Sequence, residues 1–186
     1  MAKKLLDQVL VIDIEATCWE GQPPEGQENE IIEIGLCTLQ VGSWQRLEKR
    51  SILVRPEHSS VSPFCTQLTT LTQEQVAQGI AFAEACAILT GEFRSKERVW
   101  ASYGDYDRWM FEKQCQARQI GYPFSSRHIN VKTLLVLVYA LPREVGMARA
   151  LELLHFPLEG THHRGDDDAW NIAGILATLL RRNNEG

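Results

Sequence analysis

Three short, apolar, β-branched runs crowd the first third of the chain, and they constrain the fold more than any other feature. Residues 9–13 read Val-Leu-Val-Ile-Asp, residues 31–39 read Ile-Ile-Glu-Ile-Gly-Leu-Cys-Thr-Leu, and residues 51–54 read Ser-Ile-Leu-Val. Each has the composition of a β-strand. A Gly-, Pro- and Glu-rich loop over 20–29 separates the first two, and Pro56 stops the third because proline cannot donate to a ladder. Helical signals then take over. Thr72-Gln73-Glu74-Gln75 matches a capping box, and Phe82, Cys86, Leu89 and Phe93 recur at helical spacing. A fourth strand is predicted over 99–102, a helix over about 105–119 and an extended piece over 129–131. Helices follow to about 141, over 146–154 and over about 167–182. Three strands, then helices alternating with short strands, point to an α/β fold with a mixed sheet flanked by helices.

The chain has 186 residues, no internal repeat and no evident linker, so a single domain over 1–186 is expected. Its formal charge of −5 argues against a protein that coats nucleic acid by bulk attraction. The five cysteines are scattered, odd in number and without CxxC spacing, which disfavours a zinc ribbon or a disulfide framework. Asp7 and Asp13 interrupt the apolar N-terminal stretch, so no secretory signal is expected. The longest fully apolar run, residues 134–141, is far short of the ~20 residues of a membrane span. The expectation is a cytoplasmic protein with no membrane partner.

Three acidic segments could carry chemistry. Asp13 and Glu15 stand two apart at the end of the first strand, where the strand period puts both on one face. Two adjacent acids repel unless something offsets them, and Mg²⁺ or Mn²⁺ does so with hard oxygen ligands; alternatively Asp13 ends the strand and Glu15 is solvated. Asp105 and Asp107 follow the fourth strand at a helix start, Asp105 being a natural N-cap. His162-His163-Arg164-Gly165-Asp166-Asp167-Asp168 precedes the final helix, and there the acids also suit the helix dipole. Beside two histidines, the cluster has the composition of a site that binds metal and moves a proton.

Together the three segments resemble the DEDDh 3′–5′ exonucleases of the ribonuclease H-like fold, closest to the histone-mRNA 3′-end exonuclease and RNAi-regulating exoribonuclease subgroup. The matching pieces are Val11-Ile12-Asp13-Ile14-Glu15-Ala16-Thr17-Cys18, Glu30-Ile31-Ile32-Glu33, Val54-Arg55-Pro56, Leu68-Thr69 with Leu71-Thr72, Asp105-Tyr106-Asp107 and the run from His163 to Ala173. The resemblance implies a five-stranded sheet, three strands antiparallel and two parallel. It implies Asp13, Glu15, Asp107 and Asp168 as ligands of two divalent metals, and His163 as general base. Counting His-x₄-Asp from His162 would select Asp167 instead; the register from His163 leaves Asp168 followed by Ala-Trp-Asn-Ile-Ala, as the subgroup pattern requires. Asp105 and Asp166 become supporting or capping candidates.

The implied reaction is hydrolysis from the 3′ end of a single-stranded nucleic acid, RNA rather than DNA, releasing nucleoside monophosphates. Two metals suit the attacking water and the leaving oxygen, and a neutral histidine can take the water's proton near pH 7. The resemblance also implies that Glu15 and the Ala16 backbone contact the terminal sugar, and that Phe64 and Leu68 stack on the terminal base. Thr70 stands where such enzymes commonly have glycine. Glu33 reads as structural, and Trp19 either lines a substrate groove or covers the core. Two other functions share these features: a catalytically silent nucleic-acid-binding module and a metal-dependent nucleotide phosphatase.

Overall fold

The computed structural model describes residues 4–181. Five strands form one sheet in the order β3-β2-β1-β4-β5. The central strand β1 (Gln8–Ala16) runs antiparallel to β2 (Ile31–Gln40), and β2 runs antiparallel to β3 (Arg46–Leu53). On its other side β1 pairs in parallel with β4 (Val99–Ser102), which pairs in parallel with β5 (His128–Asn130). This is the expected mixed sheet.

The side-chain alternation of β1 sorts the core into two layers. Leu10, Ile12 and Ile14 pack with Phe82, Leu89, Trp100 and Phe111 on one face. That layer belongs to α3 (Phe82–Gly91) and α4 (Tyr106–Ala117). Val9 and Val11 face the other way, into a layer with Leu135, Leu151, Ile172 and Leu176. Those residues come from α5 (Val131–Tyr139), α6 (Met147–Leu153) and α7 (Gly165–Arg181). Asp13 and Glu15 continue the odd-numbered face, so the same alternation that hides Val9 and Val11 turns both acids toward α7.

Two short helices lie between β3 and α3, namely α1 (Pro63–Thr69) and α2 (Gln73–Ala77). The capping box at Thr72 forms as expected: Thr72 Oγ1 accepts from the Gln75 N–H, and Gln75 Oε1 accepts from the Thr72 N–H. Ser62 caps α1 by a single bond, its Oγ accepting the Cys65 N–H at 3.0 Å, with Pro63 at the first helical position. Thr70 ends α1 in the left-handed region, with φ +65°. A C-terminal helix cap in this conformation favours glycine because a Cβ is crowded there, which fits the glycine that the family resemblance leads one to expect at this point.

Several boundaries move. β1 runs on to Ala16, so Asp13 lies within the strand rather than at its end. β3 begins at Arg46, five residues before the apolar run that suggested it. β5 sits one residue earlier than expected, because Asn130 caps α5 through the Thr133 N–H. α7 starts at Gly165 rather than Asp167, and the expected end at Arg182 lies outside the described residues. No helix among the described residues is long and apolar enough to cross a membrane.

One contact fixes where α7 begins. Gly35 on β2 and Gly165 meet backbone to backbone: a Cβ on Gly35 would stand 1.7 Å from the Gly165 carbonyl carbon. A Cβ on Gly165 would in turn come within 2.9 Å of the Gly35 nitrogen and 3.2 Å of the Asp13 carbonyl oxygen. Only two residues without side chains allow this approach, and it seats the first turn of α7 directly over the Asp13 end of the sheet.

Candidate active site

Asp13, Glu15, Asp107 and Asp168 line one cavity of about 290 Å³ together with His162 and His163. They arrive from three elements. Asp13 and Glu15 project from β1, opposite Gly35 and Glu33 of β2. Asp107 comes from the first turn of α4, and its Oδ1 accepts the Ile14 N–H at 3.0 Å. The β1–β4 register ends at Val11, so Asp107 occupies the position past the end of β4 where Ile14 needs an acceptor. Asp168 comes from the first turn of α7 and lies where the Gly35–Gly165 contact places it. Carboxylate oxygens of Asp13, Glu15 and Asp168 come within 4.8 Å of one another.

The histidines approach Asp168 in different ways. His162 Nδ1 lies 3.0 Å from Asp168 Oδ2, and the His163 backbone N–H donates to the same oxygen at 3.0 Å. The two rings stack with centroids 3.9 Å apart, and His163 holds a left-handed backbone, φ +63°. Nitrogen atoms of both rings and an oxygen of Asp168 fall within 4.8 Å of each other.

Burial of so many acids shows in their proton affinities. Asp13 is raised well above the ordinary carboxylate range, first by desolvation and then by Asp107 and Glu15. Glu15 is pushed up to about 8 by burial, with Asp168, Glu33 and Asp107 adding to it. Asp107 rises to about 6 through burial, opposed by the Ile14 N–H. Asp168 is raised by burial against the pull of His162. Burial and the neighbouring His162 lower His163, which favours its neutral form.

Glu33 is fully buried beside this group but has its own partners. It takes two guanidinium contacts from Arg164, at 2.9 and 3.2 Å, and accepts the Gly165 N–H at 2.8 Å and the Ser51 hydroxyl at 2.5 Å. It is the structural residue the sequence suggests, tying β2 to the start of α7. Lys49 of β3 makes a similar tie, pairing with Asp167 and, at 3.5 Å, with Asp166. Asp105 stands at the N-cap of α4 but makes no side-chain cap bond, which corrects its expected capping role; its Oδ2 instead accepts from Asn130 Nδ2 at 3.0 Å.

Glu33 is paired with Arg164, whereas Asp13 and Glu15 are raised by burial and by their acidic neighbours. A hard divalent cation fits this donor set: oxygens of Asp13, Glu15 and Asp168 already lie within 4.8 Å of one another, and a cation there would relieve the repulsion that helps raise Asp13 and Glu15.

The structure does not bring Phe64 and Leu68 into the acid cavity. They form an i,i+4 pair on the outer face of α1, 39% and 37% exposed. The inner face anchors the helix: Cys65 donates its thiol to the Ala16 carbonyl at 3.5 Å, and the Ser62 hydroxyl donates to the Cys18 carbonyl. Phe64 and Leu68 therefore stand on an element held against the Ala16 end of β1. Trp19 is half-buried just beyond. Sequence reading passed over Tyr103, Tyr106 and Met147, which also line the cavity; Tyr106, directly before Asp107, was the findable one.

Comparison with known proteins fits this geometry. An exonuclease family model matches residues 10–176. The chain is 34% identical over 186 residues to 3′-5′ exoribonuclease 1 of Rattus norvegicus, covering 94% of this chain and 53% of that protein. It is 27% identical to 3′-5′ exonuclease Snipper of Drosophila melanogaster, covering 97% of this chain and 72% of the other. The nuclease domain of 3′hExo, a DEDDh family member solved bound to rAMP, superimposes with a TM-score of 0.87 at 31% identity, covering 97% of this chain and 95% of that one. The chain spans about half the length of the exoribonuclease 1 relatives it matches.

Proposed function

The chain belongs to the DEDDh exonuclease family and has its ribonuclease H-like fold, and from that premise we propose that it is a single-domain 3′–5′ exonuclease over residues 1–186, acting on single-stranded RNA. The observation that carries the reading is the convergence of Asp13, Glu15, Asp107 and Asp168 with two histidines in one cavity. RNA is favoured over DNA by the exoribonuclease names of the relatives and by the rAMP bound to the 3′hExo domain. A cytoplasmic setting suits five cysteines that remain free thiols.

Divalent metals are implied by the family, and two of them, Mg²⁺ or Mn²⁺, would supply charge relief at the phosphoryl group and acidify the attacking water. The chain's own residues do the rest. Asp13, Glu15, Asp107 and Asp168 hold the cations. Bound cations would favour the ionised form of these carboxyls, which burial opposes. Glu15 and the Ala16 backbone hold the terminal sugar, and Phe64 and Leu68 cover the terminal base from α1. His163 takes the proton of the water, since its depressed proton affinity leaves the ring neutral. The product is a nucleoside monophosphate.

One observation favours a second assignment of the base. The His162 ring, and not that of His163, is oriented by the Asp168 carboxylate, and an oriented imidazole is a good proton acceptor. His163→Ala lowers kcat by roughly 100-fold or more if His163 is the base, whereas a loss of that size confined to His162→Ala reverses the assignment.

The deciding assay incubates 5′-labelled RNA and DNA oligonucleotides with Mg²⁺ or Mn²⁺, with and without chelator. Stepwise shortening from the 3′ end, faster on RNA and abolished by chelator, is the expected result. Bound but intact RNA would indicate a silent binding module. Turnover of a small nucleotide ester with no shortening of RNA would indicate a phosphatase.

A further inference from the structure

We propose that Trp109 and Lys113 form a docking platform for the nucleotides just upstream of the 3′-terminal residue of single-stranded RNA. This rests on the reading of the acid cavity as the place where the 3′ end is held. The platform begins at the cavity wall. Tyr106 lines the cavity, and residues 106, 109 and 113 follow one another at i, i+3 and i+7, a single face of α4. Tyr106 and Trp109 have ring centroids 6.1 Å apart, and Lys113 Nζ stands 5.6 Å from the Trp109 ring.

These two aromatic side chains are left in water. Tyr106 is 51% exposed and Trp109 52%, although Phe111, Met110 and Cys115 on the inner face of the same helix are buried. The helical rise puts Trp109 about 4.5 Å, and Lys113 about 10 Å, beyond Tyr106. One stacked nucleotide occupies about 3.4 Å of a strand, so the platform spans two or three residues leading away from the cavity. Its chemistry suits RNA of any sequence: an indole face accepts any base, and an ammonium at the far end meets a phosphate. Lys113 is held there by Glu28 at 3.1 Å, an exposed pair that a phosphate can displace at little cost. Phe64 and Leu68 stand on a separate helix, so the terminal base and the upstream bases would be gripped by different elements.

The test measures binding by calorimetry with Mg²⁺, using uridine monophosphate and a phosphorothioate hexauridylate that resists hydrolysis. Trp109→Ala is expected to weaken the hexamer about 5- to 30-fold while shifting the monophosphate less than about 2-fold. Trp109→Phe should recover most of the loss, because a phenyl ring still stacks. Equal hexamer affinities for wild type and Trp109→Ala would overturn the platform, as would equal losses on both ligands. Failure of the nuclease reading looks different: wild-type protein would leave unmodified RNA uncut, whatever Trp109→Ala does to hexamer binding. Wild-type protein that binds no hexamer refutes both.

Discussion

Gly35→Ala places one methyl group where the fold has no room for it. The new carbon would lie 1.7 Å from the Gly165 carbonyl carbon, 1.9 Å from its oxygen and 2.2 Å from the Asp166 nitrogen. Non-bonded carbons settle at about 3.5–4.0 Å, so the start of α7 must withdraw by about 2 Å. All three atoms are backbone, and no rotamer change can relieve them. Overpacking of this kind costs about 1–3 kcal/mol and occasionally more. For a chain of this size, about 2–4 °C of melting temperature goes with each kcal/mol, so a cost of about 3 kcal/mol lowers Tm by about 6–12 °C. The effect on catalysis is larger, because Asp168 rides on that turn and both histidines lie in the loop that leads into it. A displacement of about 1 Å at reacting groups can cost about 100-fold in rate, and about 2 Å should cost more. The assay pairs thermal melting with the initial rate of RNA shortening at a temperature where the variant is folded. Gly174→Ala on the same helix is the control, since its Cβ meets only the end of the Arg46 side chain at 3.4 Å. A Gly35→Ala protein that keeps wild-type rate and melts within about 2 °C of wild type would refute the role given to this contact.

Asp13→Asn and Asp168→Asn should each abolish turnover while the protein still melts cooperatively; measurable stepwise cleavage by either would remove it from the metal-binding set. Thr70→Gly relieves a left-handed threonine and should stabilise by about 0.5–1 kcal/mol, read as a small rise in denaturant midpoint; a fall would show that the threonine side chain contributes more than its backbone strain costs. The metal-free protein should lose stability as pH rises. Glu15 is raised from its ordinary value to about 8, so the folded state holds a proton that the unfolded chain has released. The lowered His163 and His128 oppose this only below about pH 6.5, their unfolded value. Between about pH 6.5 and 8 the loss from Glu15 is about 2 kcal/mol, and saturating Mg²⁺ should reverse the trend; a metal-free melting temperature that is flat or rising over that window contradicts the burial of Glu15.

What the sequence disclosed depended on whether the signal was local. Val9 to Ile12 announce β1 because a buried central strand must be apolar on both faces. The extra five residues of β3 were hidden because Arg46, Glu48, Lys49 and Arg50 belong to an edge strand, where charges are tolerated. The helix α1 escaped notice although Ser62-Pro63 is a start signal, because its short amphipathic run looks like loop. The acids were candidates by their spacing on strand and helix, and it was the family resemblance that joined them into one set. Two things were not legible. That Gly35 and Gly165 touch is a property of a pair 130 residues apart. That the His162 ring faces Asp168 while His163, at positive φ, presents its backbone N–H is a loop conformation that no spacing reveals.

The seating of α7 also has a consequence for how this chain comes into being. The helix follows all five strands in sequence, yet it lies across β1, β2 and β3, the first strands to be made. Asp13 and Glu15 therefore precede Asp168 by the whole run of strands and helices from β2 to α6. Asp168 and the histidines join them only once the polypeptide has been extended through the final helix and folded back over its own beginning. The proposed metal site is thus closed only when α7 docks over β1, β2 and β3.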